Sequence, residues 1–399
     1  MSAEDSIRWL PVGEVGEVRM GKQLSPASRA NGKQLPYLRV ANVLDGRIDY
    51  SDVNLMGFTP SERLIYLLRP GDILLNEGQS LELVGRSAIY KEPANVYYFQ
   101  NTLVRFRAGG AVLPEYAQAV FSWWLRIGVF AAIAKKTTSI AHLGGDRFAK
   151  LSFPLRPLAE QRRIVEVFSA LDDQEKSIEA SIVKGRLVRG EIMRKILSSQ
   201  ERGWAVLGDV AAVSSGSTPS RSRGDYWVGG TVPWVRTAEI NFSVIADSGE
   251  CVTRRAVTET GLRVYPKGTV LLAMYGEGVT RGRSAVLGVD ATVNQAAAAI
   301  VCDPTRLDNR YLYHWLESSY NEIRKIGQGS NQTNLNGTLV GSICLPLPSI
   351  EEQRRLVAPI EAFDQRLASD RDELAKLQTL KNGLTDDLLS GNARLRNVA

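Results

Sequence analysis

Two short polar segments carry residue types that are suited to contacting nucleic acid. They run Lys135-Lys-Thr-Thr-Ser139 and Gln328-Gly-Ser-Asn-Gln-Thr333. Lysine pairs with phosphates, whereas asparagine and glutamine can form two hydrogen bonds with the edge of an adenine in the major groove. The DNA contacts predicted from these segments are Lys135, Lys136, Thr137, Thr138, Ser139, Gln328, Ser330, Asn331 and Gln332. A solvated loop is the alternative for both segments.

A glycine-rich loop, Gly276-Glu-Gly-Val-Thr-Arg-Gly282, could be taken for a phosphate-binding loop. Its spacing differs from GxGxxG, and the residues after it are typical of a strand and not of a helix. We therefore predict a connection between strands. Its flanks could still contact DNA through Tyr275, Arg281 and Arg283. For the equivalent Asn76–Arg86 loop, we predict the same role for Asn76 and Arg86.

The sequence offers little for catalysis. Neither His142 nor His314 has an acid or a thiol beside it in a recognisable pattern. No Pro-Pro dipeptide occurs, although an amino-methyltransferase needs one in its acidic/Asn-Pro-Pro-aromatic segment, and no P-loop is visible. The three cysteines, Cys251, Cys302 and Cys344, are scattered and form no CxxC, which argues against a metal site and against disulfides. We expect a chain without catalytic residues, without a metal and without a cofactor of its own.

The elements that would position these loops follow from a repeat. Phe153-Pro-Leu-Arg-Pro-Leu-Ala-Glu-Gln-Arg-Arg-Ile-Val165 returns 192 residues later as Leu345-Pro-Leu-Pro-Ser-Ile-Glu-Glu-Gln-Arg-Arg-Leu-Val357. After each copy, apolar residues recur at seven-residue steps on two seams, which predicts two long helices of about 40 residues that pack against another helix. Polar residues and Gly185 interrupt the seams. Pro359 should kink or interrupt the first turns of the second helix.

The segments between the helices also repeat. Residues 1–153 and 201–345 share short strand-like runs with offsets of 192 to 197, and a helix is predicted from about Pro114 to Lys135. The predicted domains are thus 1–153, the helical segment 154–200, 201–345 and the helical segment 346–399, in an α+β fold. Related scaffolds with divergent loops suggest two related surfaces that recognise different things.

Charge is distributed unevenly over these segments. The net charge is +6, yet residues 159–199 hold eight basic and seven acidic side chains and residues 349–390 hold six and nine. The remainder of the chain therefore carries +8. A basic surplus in the non-helical parts is what a nucleic-acid-binding surface would need.

The helical motifs resemble those of a known family. They are Leu158-Ala-Glu-Gln-Arg-Arg-Ile-Val165 with Ala170-Leu-Asp-Asp173, and Ile350-Glu-Glu-Gln-Arg-Arg-Leu-Val357 with Ala362-Phe-Asp364. Occurring twice, they make the whole chain resemble the specificity subunit of type I restriction-modification systems. The resemblance implies two target-recognition domains, each of which recognises one half of a split, asymmetric site in double-stranded DNA. It also implies two helices that pack antiparallel as a coiled-coil-like spacer.

The same resemblance implies partners. The helices would dock two methyltransferase subunits, which carry S-adenosylmethionine, and restriction subunits would join the complex. The residues that we assign to subunit docking are Gln161, Arg162, Arg163, Ile164, Gln353, Arg354, Arg355 and Leu356. The competing interpretation is a helical scaffold that joins protein subunits without recognising DNA. Because the chain has no run of 18 apolar residues and no signal-peptide layout, we expect it to be cytoplasmic.

Overall fold

The computed structural model describes residues 7–26, 33–137, 140–197, 203–276, 279–326 and 334–393. The chain divides into two compact units. Unit 1 comprises Met1–Ser177 together with Glu373–Ala399, and unit 2 comprises Ile178–Asp372. Each unit therefore combines one strand-rich region with a part of each long helix. The domain boundaries drawn from the sequence follow the repeat and remain predictions.

Within its described residues, unit 1 is built from short strands, five short helices and parts of two long helices, the beginning of the first and the end of the second. The strands are β1 (Arg8–Pro11), β2 (Gly16–Met20), β3 (Lys33–Leu38), β4 (Asn54–Phe58), β5 (Ile73–Asn76), β6 (Gly78–Gln79), β7 (Ser87–Ile89), β8 (Tyr98–Phe99), β9 (Leu103–Ala108), β10 (Lys135–Lys136), β11 (Ala141–His142) and β12 (Ser152–Leu155). The helices are α1 (Val12–Val15), α2 (Pro60–Tyr66), α3 (Pro114–Arg126), α4 (Val129–Ile133), α5 (Gly145–Ala149) and the long α6 (Leu158–Leu197), and a 3-10 turn spans Val40–Asn42.

Four sheets organise unit 1 in its described part. The largest has the order β2-β9-β5-β7 and is antiparallel throughout. Its apolar face packs on α3 and on Ile164 and Phe168 of α6, which form one core. The predicted helix from Pro114 to Lys135 is wrong in one respect. It is broken into α3 and α4 because Gly128 adopts a left-handed backbone (φ +80) that ends the first helix.

Unit 2 repeats this plan. Its strands are β13 (Trp204–Val206), β14 (Ala211–Ser215), β15 (Val232–Val235), β16 (Val244–Ile245), β17 (Cys251–Val252), β18 (Val270–Ala273), β19 (Ser284–Leu287), β20 (Thr292–Val293), β21 (Ala297–Cys302) and β22 (Cys344–Pro346). Its helices are α7 (Arg254–Thr260), α8 (Asn309–Ser318), α9 (Tyr320–Ile323), α10 (Gly337–Gly341) and the long α11 (Ile350–Ser390), with 3-10 turns at Leu207–Asp209, Gly224–Tyr226 and Thr237–Glu239.

The sheet order confirms the repeat and the α+β fold. The sheet β14-β21-β18-β19 of unit 2 has the same order and direction as β2-β9-β5-β7, and β16 adds a fifth, parallel strand at its edge. The small sheet β17-β15-β20 likewise matches β4-β3-β8, with one antiparallel and one parallel pairing in each. Drifting offsets in the sequence therefore mark loops of different length on one scaffold.

The two long helices run antiparallel within each unit, as predicted. In unit 2, Ser181 lies 3.0 Å from Asp370, and Arg189 further along α6 reaches back to Asp364 at 3.0 Å. In unit 1, Lys381 of α11 bonds to Glu175 of α6 at 2.7 Å. Glu175 and Lys381, which both interrupt the apolar seams, are thus cross-helix partners of each other.

Gly185 and Pro359 have different consequences for the helices. A Cβ on Gly185 would lie 2.8 Å from Leu367 Cδ2, so the missing side chain lets the facing leucine pack closely. Pro359 lies inside α11, which continues from Ile350 to Ser390 without a break. The predicted interruption at Pro359 is therefore wrong. The helix continues through the proline, where the neighbouring residues Val357 and Ile360 are fully buried in the core of unit 2. A kink at Pro359 stays a prediction.

Candidate nucleic-acid interface

In unit 1, a three-stranded sheet joins the two loops that the sequence singles out. Its order is β10-β11-β6, and Lys135 pairs with His142, which pairs in turn with Gly78. Lys135 and Lys136 are exposed. We call residues 76–86 and 135–142, as far as they are described, the loop edge of unit 1. The fold thus brings the two predicted DNA-contacting segments side by side.

The centre of this loop edge holds a carboxylate and an imidazole. Glu77 Oε2 lies 3.0 Å from His142 Nδ1, and the imidazole side chain is 41% exposed whereas the Glu77 side chain is 14% exposed. The Leu143 N–H donates to the Glu77 carbonyl at 2.8 Å, and Arg147 donates to the His142 carbonyl at 2.6 Å. Sequence reasoning missed Glu77 because 65 residues separate it from His142, and no local pattern joins them.

Asn76 does not have the environment that we expected. Its side chain is fully buried at the end of β5, and its Nδ2 donates to the Val43 carbonyl at 3.3 Å. A direct contact between Asn76 and DNA is therefore corrected to a structural role. Arg86 is half-buried, and its carbonyl accepts from the Asn76 N–H at 2.9 Å. Contact with DNA stays a prediction for Arg86.

In unit 2, the glycine-rich loop connects the antiparallel strands β18 and β19, which confirms the predicted strand connection. It lies against the segment that follows α8: Tyr320 donates to the Val279 carbonyl, and Arg281 donates to the Arg324 carbonyl at 2.6 Å. We call residues 274–283 and 320–335, as far as they are described, the loop edge of unit 2. Each unit therefore places its glycine-rich loop beside the segment that precedes its long-helix motif.

The predicted contacts of this second loop edge differ in availability. Tyr275 is 37% exposed, and Arg283 donates to Asn241 Oδ1 at 2.8 Å on the surface. Arg281 is held by the Arg324 carbonyl, so a role in positioning the loop fits it better than a base contact.

Thr137 in unit 1 is exposed and donates to the Ile140 carbonyl at 3.0 Å. Six further predicted contacts lie outside the described residues and stay predictions: Thr138, Ser139, Gln328, Ser330, Asn331 and Gln332.

A cluster of arginine and aromatic side chains in unit 2 was not anticipated. The Arg221 guanidinium lies 3.8 Å from the ring centroid of Trp227 and 4.8 Å from that of Trp234, and it pairs with Glu250 at 2.5 Å. The available sequence signal was the run Arg221-Ser-Arg-Gly-Asp-Tyr-Trp227, in which two arginines are followed closely by two aromatic residues. Because Glu250 already neutralises Arg221, this cluster stabilises the loop before β15.

The glutamine that both helix motifs share, Gln161 in the first and Gln353 in the second, has the same structural role in each unit. Gln161 is fully buried; its Oε1 accepts from the Leu113 N–H at 2.8 Å, and its Nε2 donates to the carbonyls of Ala111 (2.8 Å) and Arg156 (2.7 Å). Gln353 makes the equivalent three bonds in unit 2. They join it to the Asp308 N–H and to the Arg306 and Pro348 carbonyls, each at 2.8 Å.

This geometry corrects part of the predicted docking surface. Gln161, Gln353 and the fully buried Ile164 are enclosed in their own units and are not available to a partner. Arg162, Arg354 and Arg355 are exposed, while Arg163 and Leu356 are half-buried. Arg354 also lies 3.5 Å from Asp308. Subunit docking stays a prediction for these five residues.

Features of catalysis are sparse in the described part of the chain. No group of three or more His, Cys, Asp or Glu side chains is arranged there to hold a metal ion. Burial, assisted by the charge of Asp308, raises the pKa of the Cys302 thiol to about 12, so this thiol is not a nucleophile at neutral pH. No helix among the described residues is both long and apolar enough to cross a membrane.

Comparison with known proteins places this architecture. A family model described as the type I restriction modification DNA specificity domain matches residues 9–184 and again residues 202–379. The MjaX type I specificity subunit of Methanocaldococcus jannaschii is 23% identical over 383 residues, which are 90% of this chain and 88% of that protein. The EcoR124I/EcoR124II specificity subunit of Escherichia coli is 23% identical over 240 residues. This second match spans 59% of the chain and only 56% of the E. coli protein.

Solved structures share the fold at low sequence identity. The S subunit of a type I restriction-modification system from M. genitalium aligns with a TM-score of 0.56 at 15% identity, covering 98% of this chain and 97% of that one. The HsdS subunit from Thermoanaerobacter tengcongensis gives a TM-score of 0.55 at 19% identity, with 97% of each chain covered. Because the family model matches both repeats and most of the sequence, this chain belongs to the type I restriction-modification DNA specificity family.

Proposed function

We propose that this chain is the non-catalytic DNA-specificity subunit of a type I restriction-modification complex. Unit 1 would recognise one half of a split, asymmetric site in duplex DNA, and unit 2 would recognise the other half. The long helices would dock two adenine methyltransferase subunits, and restriction subunits would join the same assembly. S-adenosylmethionine would be bound by the methyltransferase subunits.

One observation carries this proposal: the scaffold is repeated, but the chemistry at the loop edges is not. The Leu143 N–H bonds to the Glu77 carbonyl in unit 1, and the Leu335 N–H bonds to the Met274 carbonyl in unit 2. These matched bonds align Glu77 with Met274. They also align His142 with Asn334, which precedes Leu335. Unit 1 thus has a partly exposed histidine bonded to a carboxylate, whereas the matched positions of unit 2 hold the exposed Asn334 and the buried Met274. The two loop edges therefore present different hydrogen-bonding groups, as two different half-sites require.

Charge supports DNA as the ligand. Lys135 and Lys136 are exposed on the loop edge of unit 1, and the chain outside the two helical regions carries a surplus of eight positive charges. Binding of phosphates by such side chains releases counterions from DNA. We therefore expect the affinity for specific DNA to fall steeply as the salt concentration rises, and a flat salt dependence would count against the proposal.

The test is to co-express the chain with the methyltransferase subunit of its restriction-modification system and to map methylated adenines by single-molecule sequencing. The expected result is one split motif with two defined halves and an unrecognised gap. A stable complex that produces no motif would favour a scaffold without DNA recognition. As a control, the purified chain alone is incubated with labelled S-adenosylmethionine and DNA. Turnover in that control would contradict a non-catalytic role.

A further inference from the structure

We infer that His142 recognises one base of the half-site bound by unit 1, by accepting a hydrogen bond from the exocyclic amino group of an adenine or a cytosine. This inference rests on the proposed function, because it presumes that the loop edge of unit 1 faces DNA. It names the residue, the atom and the class of base group involved.

The tautomer of His142 follows from its partner. An ionised carboxylate only accepts hydrogen bonds, so the Nδ1 that lies 3.0 Å from Glu77 Oε2 must carry the proton. In neutral imidazole the other ring nitrogen then has a free lone pair and acts as an acceptor. In the neutral form of His142 the acceptor is therefore Nε2, and no described residue forms a hydrogen bond with that nitrogen.

An acceptor discriminates between DNA groups. Phosphate oxygens are acceptors themselves, so neutral Nε2 cannot bind them. In the major groove the donors are the N6 amino group of adenine and the N4 amino group of cytosine, whereas guanine presents only N7 and O6 and thymine presents O4. The geometry at Glu77 thus selects bases with an amino group and disfavours the backbone.

The position of His142 suits recognition of a base edge. It lies on β11, the central strand of the small sheet, with Lys135 and Gly78 as its paired neighbours. Directly opposed residues of an antiparallel pair share one face, so Lys135 places a cation beside the ring. Gly78 lies next to the ring, because a Cβ built on it would be 3.5 Å from His142 Cε1, an ordinary van der Waals distance. Lys135 can hold a phosphate while His142 faces the groove.

The contrast with the other histidine of the chain argues against a purely structural role. His314 is 3% exposed and lies within unit 2 beside Glu317, where DNA could not reach it. The His142 side chain is 41% exposed although its Nδ1 is bonded. A fixed tautomer on an exposed ring is the arrangement that a recognition residue needs, because the ring is oriented before binding.

The test compares the wild-type complex with the His142→Ala complex, both with the methyltransferase subunit. We expect the His142→Ala motif to lose its preference at one adenine or cytosine of one half-site while the other half and the gap stay unchanged. An unchanged motif would overturn this inference while leaving the proposed function intact. Equal weakening on all sequences would also overturn it, because that result indicates a phosphate contact.

Base analogues sharpen the test without changing the protein. In duplexes of the mapped motif, each adenine is replaced by purine and each cytosine by 2-pyrimidinone, which lack the exocyclic amino group. We expect wild-type binding to weaken about tenfold at one position, the size of one good hydrogen bond, and His142→Ala binding to be insensitive there. The position that responds distinguishes adenine from cytosine. No sensitive position in wild type, or equal sensitivity in both proteins, would overturn the inference.

Two further variants separate positioning from folding. Glu77→Gln keeps an oxygen that can accept from Nδ1, whereas Glu77→Leu does not. We expect Glu77→Gln to retain the analogue-sensitive position and Glu77→Leu to lose it, with both complexes assembled. If His142→Ala does not assemble, His142→Gln replaces it and should retain sensitivity through its side-chain oxygen. Loss of sensitivity in an assembled His142→Gln complex would contradict the acceptor role.

Discussion

Two kinds of region are repeated in this molecule, and they have diverged to different extents. At the start of each long helix, Gln161 and Gln353 are fully buried and make the same three bonds to the backbone of their units. At the loop edges, the matched positions hold Glu77 and His142 in unit 1 but Met274 and Asn334 in unit 2. The scaffold is thus kept where it fixes the helices and altered where it would meet DNA.

The ion pairs between the two long helices have diverged more than the buried glutamines and less than the loop edges. Asp172 and Asp364 are 192 residues apart, as are Arg189 and Lys381. Arg189 pairs with Asp364 across the helices in unit 2, and Lys381 pairs with Asp172 in unit 1. Arg189 also donates two hydrogen bonds to the Glu317 carboxylate, each of 3.0 Å, whereas Lys381 donates one to Glu175 at 2.7 Å. The same antiparallel register is therefore fixed by a more enclosed cluster in unit 2 than in unit 1.

The largest expected effect concerns the buried glutamines. In Gln161→Leu, one N–H and two carbonyls of the backbone lose their partners inside the protein, which should destabilise unit 1 by about 4 kcal/mol. Gln353→Leu should destabilise unit 2 by a similar amount. Urea unfolding of the full chain measures both. A loss below about 1 kcal/mol in either variant would break the claimed equivalence of the two helix starts.

The ionic layers should respond unequally. Partial burial lowers the pKa of the Arg189 guanidinium, but the hydrogen bonds that it donates to Glu317 and Asp364 outweigh this and raise the pKa overall. Arg189→Met leaves two carboxylates without their partner and should cost about 3 kcal/mol. Lys381→Met, at a side chain that is 30% exposed, should cost about 1 kcal/mol. Equal losses in urea unfolding would mean that the two clusters are equivalent after all.

The loop edges should show their effect in DNA binding. The double reversal Lys135→Glu and Lys136→Glu should weaken specific binding by about 2 kcal/mol and lower the slope of log K against log salt by about 2, because two phosphate contacts are lost. Binding titrations at several salt concentrations measure both quantities. Lys91→Glu, an exposed lysine outside the loop edge, is the control and should change neither. Loss of methyltransferase assembly in the double variant would instead assign this hairpin to subunit docking.

The smallest effect is a pH dependence in unit 2. Burial raises the pKa of Glu317, but the nearby His314 and the hydrogen bonds donated by Arg189 lower it by more, so the net pKa lies below the ordinary value of 4.5. A carboxyl with a lowered folded-state pKa stabilises the protein above its unfolded pKa, and this contribution is lost as the pH falls through the folded value. Glu317→Gln should therefore flatten the decline of Tm below about pH 4.5. If Tm declines equally below about pH 4.5 in the wild type and in Glu317→Gln, this role of Glu317 is contradicted.

The long helices and the repeat could be predicted because their signals are local and periodic. Seven-residue spacing marks the buried seam that includes Ile182 and Leu367, and the duplicated motif fixes two equivalent helix starts. The role of Gln161 could not be predicted, because its partners Ala111 and Leu113 lie about 50 residues away and a glutamine beside two arginines suggests an exposed turn.

The candidate site was only partly predictable for the same reason. Composition identified the Lys135–Ser139 segment and the Asn76–Arg86 loop, but only the pairing of β10, β11 and β6 brings them together. Asn76 was misassigned because the sequence does not show which way an asparagine at the end of a strand faces. Its side chain points inward to the Val43 carbonyl and not to solvent. Glu77 has no sequence signal that links it to His142.

The central claim is that each unit recognises its own half-site. The most direct test replaces residues 203–347 with the corresponding segment of a family member whose methylated motif is known and different. The chimeric chain is co-expressed with the methyltransferase subunit, and methylated adenines are mapped. This account predicts a motif in which one half is replaced and the other half is retained from the parent chain. A motif in which both halves change, or in which neither does, would contradict it.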